Sequence, residues 1–464
     1  MLFPVTVAAQ DTDSGASPLN LQVKSAVYGS SQGALPFWLH SNRDGKVDSS
    51  GVNWINEIGF RTGLFDYGRL SVDAGANLVG RLSGNSSAHF NELYLHADFG
   101  GYRLSAGRFI NPIGLNNHEL SVGSMMVSRN ATPVPRISLH TPEFLDVPFL
   151  NGHLQYKGMF SHGRLEDSRF VSNALLHQKY FYLRVNAGKW SGTGGIIHNV
   201  VWGGEHPRFG QLPQSFSDFL RVVTGKAADS NSNAPGIDIG NVIGNAIAAY
   251  EFGLRYEHEQ FTASLTRLFY LEDKVSARFR SPWDGVWGLN FSAKERNRFV
   301  TDFIYEHINT KQQDAKPFQG RGRANYYDNA AYRSGWTYHN QVLGLPLILF
   351  NTEGLYDEQT KSIRNNIIIA HHFGMKGAFS KQLRYRLFAT YSRNYGFNPF
   401  RDKEIRLDLD ARRTDQYSLY LGLQYELPNV KGLELSASVA ADTGQLYEDN
   451  IGLGVGFVWK PVYR

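Results

Sequence analysis

The sequence predicts a transmembrane, antiparallel, up-and-down β-barrel, and three observations carry that prediction. The first is the stretch from Thr414 to Trp459. Tyr417, Leu419, Leu421, Leu423, Tyr425 and Leu427 alternate with Ser418, Tyr420, Gly422, Gln424 and Glu426. The rhythm returns in Leu433, Leu435, Ala437, Val439 and Ala441, and again in Ile451, Leu453, Val455, Phe457 and Trp459. A period of two is the strand period, and strands of about ten residues cross a bilayer at a tilt. The second observation is that the other face carries Glu, Gln, Arg and Asp. A soluble sandwich has strands of about five to six residues and hides both inner faces in an apolar interior. The third is that aromatic residues gather near strand ends, where a membrane girdle places them.

Whole-chain numbers agree with a fold whose apolar residues are hidden in alternation. The 464 residues include 47 Gly, 24 Tyr, 30 Phe and 8 Trp, yet mean hydropathy is −0.34. A helical membrane protein needs runs of about 20 apolar residues, and the sequence has none. Cysteine is absent, which removes disulfides, thiolate nucleophiles and thiolate metal sites together. The net charge of +5 is spread without a basic block, so nucleic acid has no footprint. Met1 to Gln10 reads as the apolar tail of a secretory signal ending in small residues, with cleavage expected near Ala9. Residues 1–18 are therefore set apart, and 19–464 are expected to form the barrel with no second domain.

Strand pattern begins at Leu19 to Gly29 and continues through a hairpin whose turn is expected at Leu64 to Gly68. Leu70, Val72, Ala74, Ala76 and Leu78 share one face. Glu92, His96 and Asp98 oppose Leu93, Leu95 and Ala97, and Arg384 and Arg386 oppose Leu383, Tyr385 and Leu387. A charged residue facing lipid near the midplane costs about 2 to 4 kcal/mol, so these polar groups are assigned to the lumen. The alternation stops three times, at Ile110–Pro148, Gly203–Gly244 and Asn309 to about Ser362. Long segments of this kind are usually functional. In the second of them Ser215 is placed to cap a short helix. About seventeen strands can be counted, and single-chain bacterial barrels have even numbers. The expectation is eighteen, or sixteen, with a hidden strand in Ser161–Leu176 or Gly335–Phe350.

The loops carry a family resemblance. Trp202-Gly203-Gly204, then Pro207, Phe216, Phe219, Thr224-Gly225 and Gly240-Asn241 resemble the pattern of Wzi-type capsule assembly proteins. Gly107-Arg108 to Pro135, with Gly114, Glu119, Leu120, Ser121 and Gly123, is similar to that family's first long loop. Tyr326-Tyr327 through Tyr332, Gly335-Trp336-Thr337-Tyr338 and Gly344-Leu345-Pro346-Leu347 are similar to its third. The resemblance implies an outer-membrane barrel of about 18 strands acting as a surface lectin that retains capsular polysaccharide. Some members carry a periplasmic helical bundle before the barrel; here strand pattern begins almost at once, so no role of that bundle is carried over.

Read residue by residue, the third loop suits sugar, because a saccharide offers flat C–H faces and rims of hydroxyls. Asn325, Tyr326, Tyr327, Tyr332, Trp336 and Tyr338 lie close together there. Trp336 and Tyr338 serve equally well as pegs that pin the loop into the lumen. Trp202, before two glycines, fits an indole packed against a tight turn. Arg108 and Glu119 fit either an acidic capsule or ion pairs within the lumen. The expected partners are capsular or other surface polysaccharide and outer-membrane lipid, for a monomer with no cofactor and no metal.

Two other classes of function compete. An enzyme needs a nucleophile and base, or acids with His, at fixed spacing, and neither a GxSxG elbow nor HExxH occurs. His371 and His372 are adjacent on a strand and so point to opposite faces. A porin or carbohydrate channel is the stronger competitor, since a barrel of this width can enclose a channel.

Overall fold

Each strand has one face that tolerates only lipid and one that tolerates only water or polar neighbours, and a closed sheet satisfies both while leaving no unpaired edge. The computed structural model describes residues 19–272, 279, 281–313, 324–351, 363–397 and 409–461. The expected leader, residues 1–18, lies outside them. The first strands are β1 (Asn20–Ala34), β2 (Ser50–Tyr67), β3 (Leu70–Leu82), β4 (Ser87–Phe99), β5 (Tyr102–Arg108) and β6 (Arg136–His140). Then come β7 (Leu154–Arg164), β8 (Leu175–Ala187), β9 (Trp190–Trp202), β10 (Asn245–Glu257), β11 (Phe261–Leu271) and β12 (Gly285–Ala293). The last are β13 (Asp302–Asn309), β14 (Ile368–Ala378), β15 (Leu383–Asn394), β16 (Thr414–Glu426), β17 (Leu433–Gly444) and β18 (Asn450–Trp459). Leu145–Asp146 adds a short piece to the same sheet against β7.

Among the described residues, all eighteen strands pair antiparallel with their chain neighbours. The barrel closes where β18 meets β1, in the register Val23↔Trp459 to Ser30↔Gly452. The outward face is exposed and apolar, as at Leu93, Leu95, Leu419 and Leu453. Exposed rings form two belts. Tyr67, Phe99, Tyr102, Trp190 and Trp459 lie at the end with short turns, and Trp54, Phe90, Trp287 and Tyr417 at the end with long loops. Two aromatic girdles around an apolar band, with short turns on the periplasmic side, are the outer-membrane arrangement.

Two sequence expectations need correction. The hidden strand is β6, inside the first interruption. It is five residues long and follows Pro133 and Pro135, so only Ile137 and Leu139 face outward and the period is too short to register. The reversal after β2 is at Gly68-Arg69 instead of Leu64–Gly68; Phe65 and Tyr67 stay in the strand as exposed girdle rings, and Gly68 takes the φ of 63° that the tight turn requires.

Candidate functional site

The lumen is plugged by three loop segments from the long-loop end. Residues 35–49 carry helix α1 (Phe37–His40), and residues 109–135 and 324–351 carry almost no regular structure. Such backbone is tolerated at membrane depth only where its polar groups find partners, and wall side chains supply them. Glu306 on β13 accepts from Ser121 Oγ at 2.7 Å, Val122 N at 2.8 Å and Asn116 Nδ2 at 2.6 Å. Glu251 on β10 accepts from Leu115 N at 2.9 Å and from the Tyr182 hydroxyl at 2.6 Å. His372 on β14 meets Leu120 O at 2.7 Å, and Trp38 of α1 packs on Phe388 at 4.4 Å and donates to Thr390 Oγ1 at 3.1 Å.

The three segments also lock one another. Trp336 Nε1 donates to Met126 O at 2.8 Å, and the Tyr327 hydroxyl donates to Met125 O at 2.5 Å. Ser128 N donates to Leu343 O at 2.8 Å, and Arg129 holds Asp44 through two bonds of 3.0 and 2.7 Å. Burial raises the Tyr327 and Tyr332 phenols well above their ordinary range and that of Tyr338 to about 12. All three remain neutral hydrogen-bonding groups at any physiological pH.

The candidate residues thus fall into four places. Trp336, Tyr326, Tyr327, Tyr332 and Tyr338 are buried in the plug, with the Tyr326 hydroxyl on Asp284 at 2.8 Å and that of Tyr332 on Gly203 O at 3.3 Å. They are the pegs that pin the loop. Asn325 sits with them, partly buried, beside Asp328 and Asn366. Glu119 accepts from Arg386 at 2.7 Å and pairs with Lys376, the lumenal pairing. Arg108 lies nearer the mouth, on Glu166 at 2.8 Å and within 3.5 Å of the Tyr338 hydroxyl.

Trp202 is elsewhere. It is on the outward face of β9, where helix α2 (Phe216–Thr224) folds back over the barrel wall. Ser215 caps α2 in a full capping box with Asp218, and Gly225 ends it at a φ of 63°. Val222 buries against Val200 and Trp202, and Phe219 reaches His162 and His177. The α2 part of the second interruption therefore clads the outer wall at the rim, while Gly203 and Leu212 of the same interruption meet the plug.

Residues that sequence reasoning passed over include the anchors Glu251, Glu306 and Trp38. The two carboxylates occupy the lumenal phase of strands with apolar neighbours, a signal that alternation contains. At the long-loop end the exposed loop rings among the described residues include Trp283, 63% accessible, and Phe209, 39%. His339 and Asn340 are exposed beside the Arg108–Glu166 pair, with His339 N donating to Asp167 at 3.1 Å and both at positive φ, 47° and 60°.

An eighteen-stranded barrel with girdled outer face, short turns on one side and a hydrogen-bonded plug from the other is an outer-membrane protein whose lumen is occupied by its own external loops. The family model for capsule assembly protein Wzi matches residues 30–347, more than half of the chain, including two plug segments whole and most of the third. The chain belongs to that family. Among solved structures it is similar to Wzi of Escherichia coli, described as an outer membrane protein involved in group 1 capsule assembly and a carbohydrate-binding β-barrel. Identity is 13%, the match covers 95% of this chain and 85% of that one, and the TM-score is 0.59. It is also similar to Pseudomonas aeruginosa OpdO, at 12% identity, 96% coverage of each chain and a TM-score of 0.50. No curated protein sequence matches.

Proposed function

We propose that the protein is a surface lectin that holds capsular polysaccharide at the outer face of its plug during capsule assembly. The observation that carries this reading is the family match across 30–347, which includes most of the plug and the rim it presents. The rim supports it chemically. Arg108, Glu166, His339 and Asn340 offer donors and acceptors beside one another, and Trp283 and Phe209 offer exposed rings at the same end of the barrel. Rings for C–H faces and polar groups for hydroxyls are what a saccharide surface needs. The buried tyrosines and Trp336 act one step back, by fixing the loop that presents His339 and Asn340.

A pull-down or glycan array with the detergent-purified barrel, against surface polysaccharides of the producing organism, tests this. Binding that weakens on Asn340→Ala with Trp283→Ala supports the rim. Absence of binding to every surface polysaccharide contradicts the lectin reading, and a large steady single-channel current favours the porin.

A further inference from the structure

The plug does not fill the whole lumen. Below it, toward the short-turn end, lies a cavity of about 480 Å³ bounded by β1 to β4 and by the underside of loops 35–49 and 109–135. Its mouth is formed by the start of β1, at Asn20 and Gln22, and by Lys460-Pro461 after β18, both at the periplasmic end. This size falls in the range of small-ligand sites.

Six basic side chains line the cavity against three carboxylates. Each carboxylate is already engaged, and Arg61 and Lys460 are held by carboxylates beyond the cavity, Asp73 at 3.2 Å and Glu434 at 3.5 Å. Glu57 takes both Lys24 and Lys46, at 2.6 and 2.7 Å, Asp44 takes Arg129 at 2.7 Å, and Glu92 accepts from Ile110 N at 3.1 Å. Arg43, 8% exposed, makes no ion pair among the described residues; it donates to Trp38 O at 3.1 Å, and its guanidinium sits 5.9 Å from the Tyr28 ring and 5.5 Å from that of Tyr420. A buried cation facing rings instead of a carboxylate is an unspent charge. Asn77 Oδ1 accepts no hydrogen bond, and Tyr94 adds an aromatic ring to the wall.

We infer that this vestibule is a second, periplasm-facing saccharide site, selective for an acidic oligosaccharide whose carboxylate pairs with Arg43 while its ring faces Tyr94 and its hydroxyls reach Asn77. It is separated from the external rim by the plug, and it draws on the lectin reading only for the kind of ligand.

The test uses full-length protein in detergent, with trigalacturonate, maltotriose and inorganic phosphate titrated by calorimetry. Trigalacturonate is expected to bind at least tenfold more tightly than maltotriose, and phosphate is expected not to displace it. Arg43→Gln should weaken it tenfold or more, Arg43→Lys should retain it, and Asn340→Ala at the rim should leave it unchanged. Because the chain has no cysteine, Gln22→Cys offers a second route: a bulky maleimide there should block trigalacturonate without touching the charges. The inference is overturned if trigalacturonate does not bind, if it binds equally after Arg43→Gln and after labelling, or if phosphate competes at equal concentration. Loss of rim binding with vestibule binding intact would sink the lectin reading alone.

Discussion

Replacing Trp336 by alanine should open the barrel without unfolding it. The indole is fully buried at the centre of the plug and makes one hydrogen bond to Met126 O at 2.8 Å. Truncating a buried aromatic of this size costs about 3 to 5 kcal/mol, and Met126 O loses its partner as well. The strand ladder from β1 to β18 does not include Trp336, so the cost falls on plug docking. Each 1.4 kcal/mol is about a factor of ten in an equilibrium, so the undocked fraction should rise by about two to three orders of magnitude. Planar-bilayer recording reads this directly, with near silence for the parent and frequent openings for Trp336→Ala. Heat-resistant migration on gels should be unchanged. Equal conductance in the two proteins would refute the claim that this ring holds the plug.

Other expectations follow from the same contacts. Glu119→Gln removes the carboxylate that ties loop 109–135 to Arg386 and Lys376, so that loop should be nicked by protease several times faster while the barrel stays intact. The plug should also loosen in acid. Burial lowers His118, which lies in loop 109–135 against Gly114 O, to about 4 from an ordinary 6.5. The freed loop therefore binds the proton first, and docking stability present above pH 6.5 is lost as pH falls toward 4. Conductance should rise over that window, and His118→Gln should flatten the rise. On the outer wall, Phe219→Ala should release α2 and expose Gly203–Gly244 to protease, whereas Phe216→Ser, at a ring 74% exposed, should not.

Alternation made the barrel legible because lipid and lumen impose opposite demands on successive residues, and Glu92, His96, Arg384 and Arg386 fell on the predicted side. β6 was illegible because five residues between prolines give too few periods. The plug was legible as interruption but its interior was not. The same Tyr and Trp residues suit a sugar platform or a packed core, and only the tertiary partners Met125 and Met126, about 200 residues away, decide that they are buried. Trp202 shows the same limit from the other side. Its turn was visible, but its position outside the wall depends on α2 folding back across β8 and β9, a contact that no local pattern contains. Trp283 and Phe209 went unremarked because a single exposed ring has no period.

Capsule retention tests the account most directly. In a strain lacking the gene, the fraction of polysaccharide that sediments with cells should fall and the shed fraction should rise. The native chain should restore attachment, and a chain altered at Trp283 and Asn340 should reach the membrane without restoring it. If cells with and without the protein keep the same fraction of capsule, the external face of this plug does not hold polysaccharide.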